Sequence, residues 1–487
     1  MIVVGLYADN TEVDLTSKKL TSLYSILHDV LPRRIGLHIL PFFPDAGDGG
    51  FAPNDWFAVR DDLGSWDDIQ KFSATWNVIV DGIYNHVGIG HRWVNAFYQD
   101  PNSYASVLHA YRVNSSSEGP LSPRGHPALT KSIEGYYLWQ AFSKVAIDIR
   151  LDNEIVQRDI DLQLSKFAEY GIWGVRLDGV AYYCKGPGLQ IRHNPGAFAL
   201  ANMVADMVRT NKMHVWAQLD CDADAMGYFA DTIRKNIPVN DYSYSAYLAI
   251  AMIKESPDIL VSHIAKTSRT GKVLVRAPRT HDGILLRSGH LLDSDISILL
   301  DFARLNHIEI RIINDLPYEL NCSAPFLYQK IAWDHDISTI INFTIAVTGF
   351  ISGWSYYYFP YIVGFTPEFA YENIDGADPR SLNRQKVPMR HIQLYMDSPQ
   401  RFKLTHLLSI LKMIHKEQND DFMSILSTSG KLIMAITPNR KYRLIANFSA
   451  SDSYQIEKNF LEAEVLDSSS CHEYSIGPWG YVILQNF

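Results

Sequence analysis

Apolar residues recur along the first three quarters of the chain in short, almost uninterrupted runs, separated by segments in which they repeat with a helical period. Such runs predict strands buried on both faces, as in a parallel sheet covered by helices. Between them, residues 153–170 predict a helix: Asn153 can cap its start, Gly171 can end it, and its apolar residues from Val156 to Phe167 share one face. The alternation predicts an α/β protein built from βαβ units. The predicted strands are residues 2–7, 35–40, 78–84, 173–177, 214–217, 273–277 and 356–359.

Two long segments and the end of the chain depart from this alternation. Residues 88–144 are rich in Ser, Gly, Pro and Tyr and predict a domain inserted after the third strand; residues 288–328 predict a second excursion near the seventh strand of a barrel. The main α/β portion is then residues 1–87 and 145–420. Residues 421–487 predict a small C-terminal β-domain, because short alternating strands follow one another at 431–437, 442–448, 463–466 and 481–485.

One charge-free stretch, residues 337–366, is long enough to span a bilayer. It contains Asn342, Gly349 and Pro360, which favour a buried helix, a turn and a buried strand over a membrane span. We therefore predict no membrane partner.

Composition narrows the class of protein further. The chain has 487 residues and a formal net charge of −9, which argues against nucleic-acid binding because that needs a basic surface. Its four cysteines are scattered, and it begins without a basic, apolar leader, so a reduced cytoplasmic protein is expected. The sequence contains no cluster of ligand residues, so we predict neither a metal nor an organic cofactor. Both a monomer and a homodimer are compatible with the sequence.

Polar motifs stand where the predicted strands end. The segment from Asp81 to His86 ends one strand, Asp178 and Gln218 follow two others, and His281-Asp282 follows a fourth. In a parallel barrel the carboxyl ends of the strands form the rim at which active sites are built. The motifs therefore predict a single site.

Two of these carboxylates suit glycosyl transfer. Asp178 can be the nucleophile of a retaining reaction, and Arg176, two residues earlier on the same strand, points to the same side and keeps it ionised. Asp282 can stabilise positive charge in an oxocarbenium-like transition state while His281 binds a hydroxyl. Each motif taken alone also has a purely structural explanation. Arg176 and Asp178 could be an ion pair that closes the end of a barrel, and His281-Asp282 could cap the start of a helix.

Further motifs run from near the start of the chain to Arg384. Together they resemble the α-amylase superfamily (glycoside hydrolase family 13) of retaining α-glycosidases and transglycosidases, and within it the sucrose-phosphorylase-like branch. The resemblance implies a (β/α)8 TIM barrel with an inserted domain and a small C-terminal β-domain. The motifs are His38-Ile-Leu-Pro-Phe-Phe-Pro44, Asp48-Gly-Gly-Phe-Ala-Pro53, Gly64-Ser-Trp-Asp-Asp68, Asn85-His86, residues 139–142, Arg176-Leu-Asp-Gly-Val-Ala-Tyr182 with Lys185 and Gly188, Thr280-His-Asp-Gly-Ile284 and Asp378-Pro-Arg-Ser-Leu-Asn-Arg384.

The resemblance also implies roles for individual residues. Asp178 corresponds to the nucleophile and Asp282 to the transition-state stabiliser. Arg124, in Pro123-Arg124-Gly125, is the candidate that helps to hold phosphate. The polar grip on the glucosyl ring is implied to be Asp48, His86, Arg176, His281 and Arg384, and its aromatic walls Phe51, Phe142 and Tyr182.

The departure from the family is Gln218, which stands where the family has its glutamate acid/base. An amide is nearly isosteric with the acid but cannot exchange a proton with the substrate. Three explanations remain open: an engineered Glu→Gln change, transfer of the acid role to Asp220 or Asp222, or substrates that need no acid. The family-typical residues are also altered at Gly179 and in residues 239–243, which favours natural divergence.

We therefore expect retaining α-glucosyl transfer of the sucrose-phosphorylase type, between a small sugar donor and phosphate or another small acceptor. The alternatives are a non-catalytic carbohydrate-binding homologue and an α-glucosidase or isomerase of the same superfamily. The retained Asp178, Arg176 and Asp282 argue against the binding protein, because binding alone needs no nucleophile.

Overall fold

Eight parallel strands close into a barrel in the computed structural model. The structure describes the chain except residues 13–17, 113–121, 123–125, 186–191, 220–235, 287–290, 314, 333–334, 352, 367–378, 420–422, 457–462, 473–474 and 487. Each barrel strand pairs with its neighbours in sequence, and the first pairs with the last. In chain order the strands are Ile2–Leu6, Gly36–Ile39, Asn77–Gly82, Gly174–Leu177, His214–Ala217, Val239–Asn240, Leu274–Arg276 and Trp354–Tyr358.

The seven strands predicted from apolar runs are all present, with ends that shift by one or two residues. The sixth strand, Val239–Asn240, was not predicted, because two residues form no recognisable run. It is nevertheless paired on both sides: Val239 lies opposite Ala217 and opposite Leu274. The predicted strand at 356–359 begins earlier, at Trp354, and its last residue starts the short helix Phe359–Ile362.

Helices cover the outside of the barrel. In Glu154–Glu169 the side chain of Asn153 accepts a hydrogen bond from the Ile155 N–H at 2.9 Å, and Val156 and Phe167 are among the buried residues, as predicted. Ile337–Ile351 is almost entirely buried and leads into the last barrel strand. In the described part of the chain, no helix has the length and apolar character needed to cross a membrane. The other helices of the α/β portion are Lys19–Val30, Trp66–Thr75, Pro195–Thr210, Tyr244–Ile253, Asp258–Ser268, Ala324–Ile331, Met389–Asp397 and Pro399–Gln418.

Two excursions leave the carboxyl end of the barrel. After the third strand, His86–Gly88 pairs with Ala146–Asp148, and between them lie the helices Arg92–Gln99 and Pro101–Tyr104 and a three-stranded sheet. After the seventh strand, the helix Asp293–Leu305 accompanies a second three-stranded sheet. The first sheet consists of Ala110–Arg112, Leu129–Lys131 and Tyr136–Trp139, and the second of Ile284–Leu285, Glu309–Ile313 and Leu316–Asn321.

An antiparallel sheet ends the chain, as predicted from the alternating pattern. Two of its strands, Ile425–Ser429 and Tyr454–Gln455, were missed, because one carries three hydroxyl residues and the other has only two positions. The remaining strands are Leu432–Ile436, Tyr442–Asn447, Glu464–His472 and Ser475–Gln485.

Candidate active site

A pocket opens at the carboxyl end of the barrel, where the predicted motifs meet. Eleven of the twelve residues proposed from the sequence line it: Asp48, Phe51, His86, Phe142, Arg176, Asp178, Tyr182, Gln218, His281, Asp282 and Arg384. The twelfth, Arg124, lies outside the described residues, as do Asp220 and Asp222. Residues that follow six of the eight barrel strands, together with Phe142 of the first excursion, thus form one site.

Asp178 lies at the base of the pocket, directly after the fourth strand. Its backbone N–H donates to the Gly82 carbonyl at 3.1 Å, which continues the pairing with the third strand. Its Oδ1 accepts a hydrogen bond from Arg176 Nη1 at 3.0 Å. Burial raises the pKa of Asp178 to about 6, although Arg176 acts in the opposite direction. The carboxyl group is therefore mostly ionised at neutral pH and titrates just below it.

Asp81 also contacts Arg176, but its pKa is shifted in the opposite direction from that of Asp178. It is buried, hydrogen-bonded to Arg176 Nη1 and within 2.9 Å of His38 Nε2. Burial opposes its ionisation, but the charges of His38 and Arg176 overcome this and lower the pKa of Asp81. Asp81 therefore holds Arg176 in place below the nucleophile candidate.

Asp282 lies across the pocket, after the seventh strand. Arg384 Nη2 donates to its Oδ1 at 3.0 Å, Arg380 Nη1 is 3.8 Å from the same oxygen, and His281 Nε2 is 3.5 Å from Oδ2. Burial opposes ionisation, yet His281, Arg380 and Arg384 hold the pKa of Asp282 well below its usual value. Burial lowers the pKa of His281 itself to about 3, so the two arginines provide the stabilisation at neutral pH.

Two histidines present unused ring nitrogens in this buried setting. Nδ1 of His86 and Nδ1 of His281 are buried and lack a hydrogen-bond partner within the described residues. Burial lowers the pKa of both rings, so both are neutral at neutral pH. A neutral ring nitrogen can donate to or accept from a hydroxyl group, which is what a sugar offers.

Aromatic rings surround these polar groups. The Phe51 ring stacks on His281 with ring centroids 5.6 Å apart and an interplanar angle of 12°. Phe142 lies between His86 and Tyr182, with centroid distances of 4.9 and 4.7 Å. These rings give the pocket apolar walls of the kind that pack against a sugar face.

Gln218 follows the fifth strand, beside Asp178 at the barrel rim. Its backbone N–H donates to the Leu177 carbonyl at 2.9 Å, and its side-chain Oε1 accepts a hydrogen bond from the Gly179 N–H at 3.0 Å. The amide oxygen is thereby engaged, so the amide NH2 is the group that Gln218 can offer to a ligand. This position can donate a hydrogen bond but cannot supply a proton.

Gly179, which follows Asp178, has a left-handed backbone with φ of 55°. A Cβ atom there would lie 2.4 Å from Asn85 Nδ2 and 3.0 Å from Phe142 Cζ. The left-handed backbone and the closeness of these two side chains therefore both favour glycine at this position. The same residue supplies the N–H that orients Gln218.

Sequence reasoning missed four residues of the pocket, which we call its outer layer. Tyr242, Leu285, Tyr318 and Arg380 also line it, and all four are partly exposed. Tyr242 follows the unpredicted sixth strand, Leu285 and Tyr318 belong to the sheet of the second excursion, and Arg380 lies four residues before Arg384. The only signal available was the motif Asp378-Pro-Arg-Ser-Leu-Asn-Arg384, from which only its last residue was taken.

Among the described residues, no group of three or more His, Cys, Asp or Glu side chains is placed to hold a metal ion. The chemistry available on these residues is that of carboxylates, arginines, neutral imidazoles and one amide.

Comparison with known proteins shows which family and which relatives this chain is similar to. Residues 35–230 match the alpha-amylase family, described as alpha amylase, catalytic domain. This match confirms, over those residues, the resemblance seen in the motifs.

Among curated proteins, the chain is 26% identical over 307 residues to glucosylglycerate phosphorylase of Spirochaeta thermophila, covering 59% of this chain and 51% of that protein. The match thus spans about half the length of that relative. This chain is also 23% identical over 459 residues to sucrose phosphorylase of Agrobacterium vitis, covering 85% of this chain and 88% of that protein. Among solved structures, sucrose 6F-phosphate phosphorylase from Thermoanaerobacter thermosaccharolyticum superposes with a TM-score of 0.78 at 18% identity, over 94% of this chain and 96% of that one.

Proposed function

We propose that this protein is a retaining α-glucosyl transferase of the phosphorylase type, and that it works without a proton-transferring acid/base. The observation that carries the proposal is the combination of Asp178 and Gln218 on adjacent strand ends. A nucleophile candidate is present and oriented, whereas the neighbouring position that would assist the leaving group is an amide. Similarity to curated glycoside phosphorylases supports the reaction class.

The first step forms a glucosyl ester on Asp178. A carboxylate oxygen of Asp178 attacks the anomeric carbon, and the bond from that carbon to the leaving group breaks, with the electron pair leaving on the departing oxygen. A phosphate leaving group needs no proton, because it departs as a stable anion. Asp282, held ionised by Arg380 and Arg384, stabilises the positive charge that develops on the sugar ring.

In the second step, an acceptor attacks the anomeric carbon from the side that the leaving group vacated. An anionic oxygen of phosphate or of a carboxylate attacks the anomeric carbon, and the ester bond to Asp178 breaks to regenerate the carboxylate. Two inversions give an α-glucoside. The amide NH2 of Gln218 can hydrogen-bond the incoming or departing oxygen, which orients that oxygen without changing its protonation.

The remaining pocket residues are proposed to hold the glucosyl ring. The neutral His86 and His281 bind hydroxyl groups, and Asp48 and Arg384 bind others. The rings of Phe51, Phe142 and Tyr182 pack around the sugar, and Arg176 keeps Asp178 oriented through its 3.0 Å contact. A dedicated grip on one sugar ring lowers the barrier by holding the anomeric carbon in line with the nucleophile.

The decisive experiment is intact-protein mass spectrometry after incubation with α-glucosyl fluoride, a donor whose leaving group needs no acid. We expect a single hexosyl adduct that disappears when inorganic phosphate is added, with release of α-glucose 1-phosphate. The matched control is Asp178→Asn, which keeps the shape of the side chain and should give no adduct.

Other outcomes assign the alternatives. Sugar binding without an adduct would contradict the proposal and favour a carbohydrate-binding protein. Release of free glucose at a rate independent of phosphate would favour a hydrolase of the same family.

A further inference from the structure

Glu319 is a fully buried carboxylate next to the outer layer of the pocket. Its Oε1 accepts a hydrogen bond from the Gly283 N–H at 3.0 Å. Its Oε2 accepts from Arg380 Nε at 3.4 Å and lies 3.6 Å from Arg311 Nη1. A buried carboxylate persists only when it is paired and hydrogen-bonded, and these contacts meet that need. Glu319 therefore fixes the Nε edge of Arg380 from outside the pocket.

Arg380 has one partner inside the pocket, Asp282, whose Oδ1 is 3.8 Å from Nη1, and one outside it, Glu319. Arg176 contacts Asp178 within the pocket and Asp81 beneath it, and Arg384 contacts Asp282 and the backbone carbonyl of Asp48. Glu319, by contrast, does not line the pocket, while Arg380 does, with its side chain 19% exposed. The guanidinium is thus held between Glu319 outside the pocket and Asp282 within it, and Leu285 and Tyr318 line the same pocket.

We propose that Arg380, positioned by Glu319, binds the oxyanion of the acceptor or leaving group in the outer part of the pocket. This inference rests on the proposed function, because it identifies the group that meets phosphate or a carboxylate once the glucosyl ring is bound below. Three pocket carboxylates, Asp48, Asp178 and Asp282, would repel an incoming anion, and the positive charge of Arg380 offsets part of this repulsion. A planar guanidinium matches the paired oxygens of phosphate and carboxylate.

The test compares Arg380→Gln, Glu319→Gln and the control Arg311→Gln. Arg311 also contacts Glu319 but does not line the pocket. The glucosyl-enzyme is formed from α-glucosyl fluoride, and its loss is followed at increasing inorganic phosphate, increasing acetate, or in water alone. Dividing each rate of glucosyl-enzyme loss by the rate in water alone corrects for changes in the reactivity of the ester on Asp178. Thermal melts confirm that each variant is folded.

For Arg380→Gln we expect the phosphate-dependent rate, divided by the rate in water, to fall at least about tenfold, as the loss of one charge-assisted contact requires. The half-saturating phosphate concentration should rise while the limiting rate changes less. Glu319→Gln should change that concentration in the same direction and by a smaller factor, whereas Arg311→Gln should not. Sulfate should inhibit phosphate transfer in the unmodified protein and lose this effect in Arg380→Gln. The better of phosphate and acetate identifies the source of the oxyanion.

An unchanged ratio in a folded Arg380→Gln protein would overturn the inference. If the unmodified protein forms no glucosyl-enzyme, the proposed function fails, and calorimetric titration with inorganic phosphate then decides this inference separately. Weaker phosphate binding by Arg380→Gln than by the unmodified protein would sustain the oxyanion site, and equal binding would refute it.

Discussion

Replacing the nucleophile candidate should make the folded protein more stable. Asp178 has a folded-state pKa of about 6, above the value of 3.8 for a free side chain, because burial disfavours its charged form. Asparagine has nearly the same shape, can still accept the hydrogen bond from Arg176, and carries no charge. Asp178→Asn should therefore abolish the hexosyl adduct and raise the free energy of unfolding at neutral pH.

The magnitude follows from the difference in pKa. About two pKa units correspond to about 3 kcal/mol, which is the cost of ionising Asp178 in the folded state above pH 6. With an unfolding entropy of about 2 cal/mol/K per residue, the 487 residues give about 1 kcal/mol per kelvin, so Tm should rise by about 3 °C. Near pH 4 the carboxyl group is protonated in the folded state and only about half ionised in the unfolded state, so the advantage should shrink to less than about 1 kcal/mol.

The matched control is Asp81→Asn, which alters the other carboxylate bonded to the same arginine. The pKa of Asp81 is lowered, so its charge stabilises the fold above its unfolded pKa. Removing it leaves Arg176 and His38 buried without that partner and should cost about 3–5 kcal/mol at pH 7. Urea or thermal unfolding at pH 7 and pH 4.5 measures both variants. Loss of stability in Asp178→Asn at pH 7, or a gain that does not diminish at pH 4.5, would refute the raised pKa.

Three further results are expected. Adduct formation from α-glucosyl fluoride should fall about tenfold per pH unit below pH 6 as Asp178 becomes protonated, and a flat profile from pH 7 to pH 5 in stopped-time mass spectra would contradict this. Gln218→Glu should raise turnover of sucrose-like donors by about 10²–10⁴, measured as phosphate-dependent release of the alcohol; no increase would mean that the pocket no longer accepts such donors. Gly179→Ala should destabilise the protein by about 1–3 kcal/mol and slow adduct formation, because its methyl group would meet Asn85 at 2.4 Å; an unchanged melting curve would argue against the left-handed backbone.

The deep layer of the site could be predicted from the sequence, for a physical reason. Asp178, Gln218 and His281-Asp282 directly follow apolar strands, and the carboxyl ends of parallel strands meet at one rim whatever the loops do. Strand position therefore fixes these residues in space. The helix after Asn153 could also be predicted, because a capping residue, an apolar face and a terminating residue all indicate the same helix.

The outer layer could not be predicted in this way. Tyr318 reaches the pocket through an antiparallel sheet whose register depends on a bulge between Arg311 and Ile312. The strand Val239–Asn240 is too short to produce a recognisable pattern. The position of Tyr242, which follows this strand, could therefore not be predicted from a strand end. Glu319 sits in a strand that also contains a proline, and its charge is paired with Arg311 on the neighbouring strand and with Arg380, 61 residues further along the chain. Such residues are positioned by tertiary contacts that a one-dimensional pattern does not encode.

The separation of the pocket into two layers has a consequence for how this protein can change. The residues proposed to hold the glucosyl ring are mostly anchored to the barrel, whereas the sheet of the second excursion contributes Leu285 and Tyr318 and positions Arg380 through Glu319. Exchange of that excursion for one from a relative would alter partner choice while leaving the covalent chemistry intact. Evolution, or a designer, can therefore diversify acceptors by grafting one contiguous segment, with Gly283 and Arg380 as the points where the graft must fit.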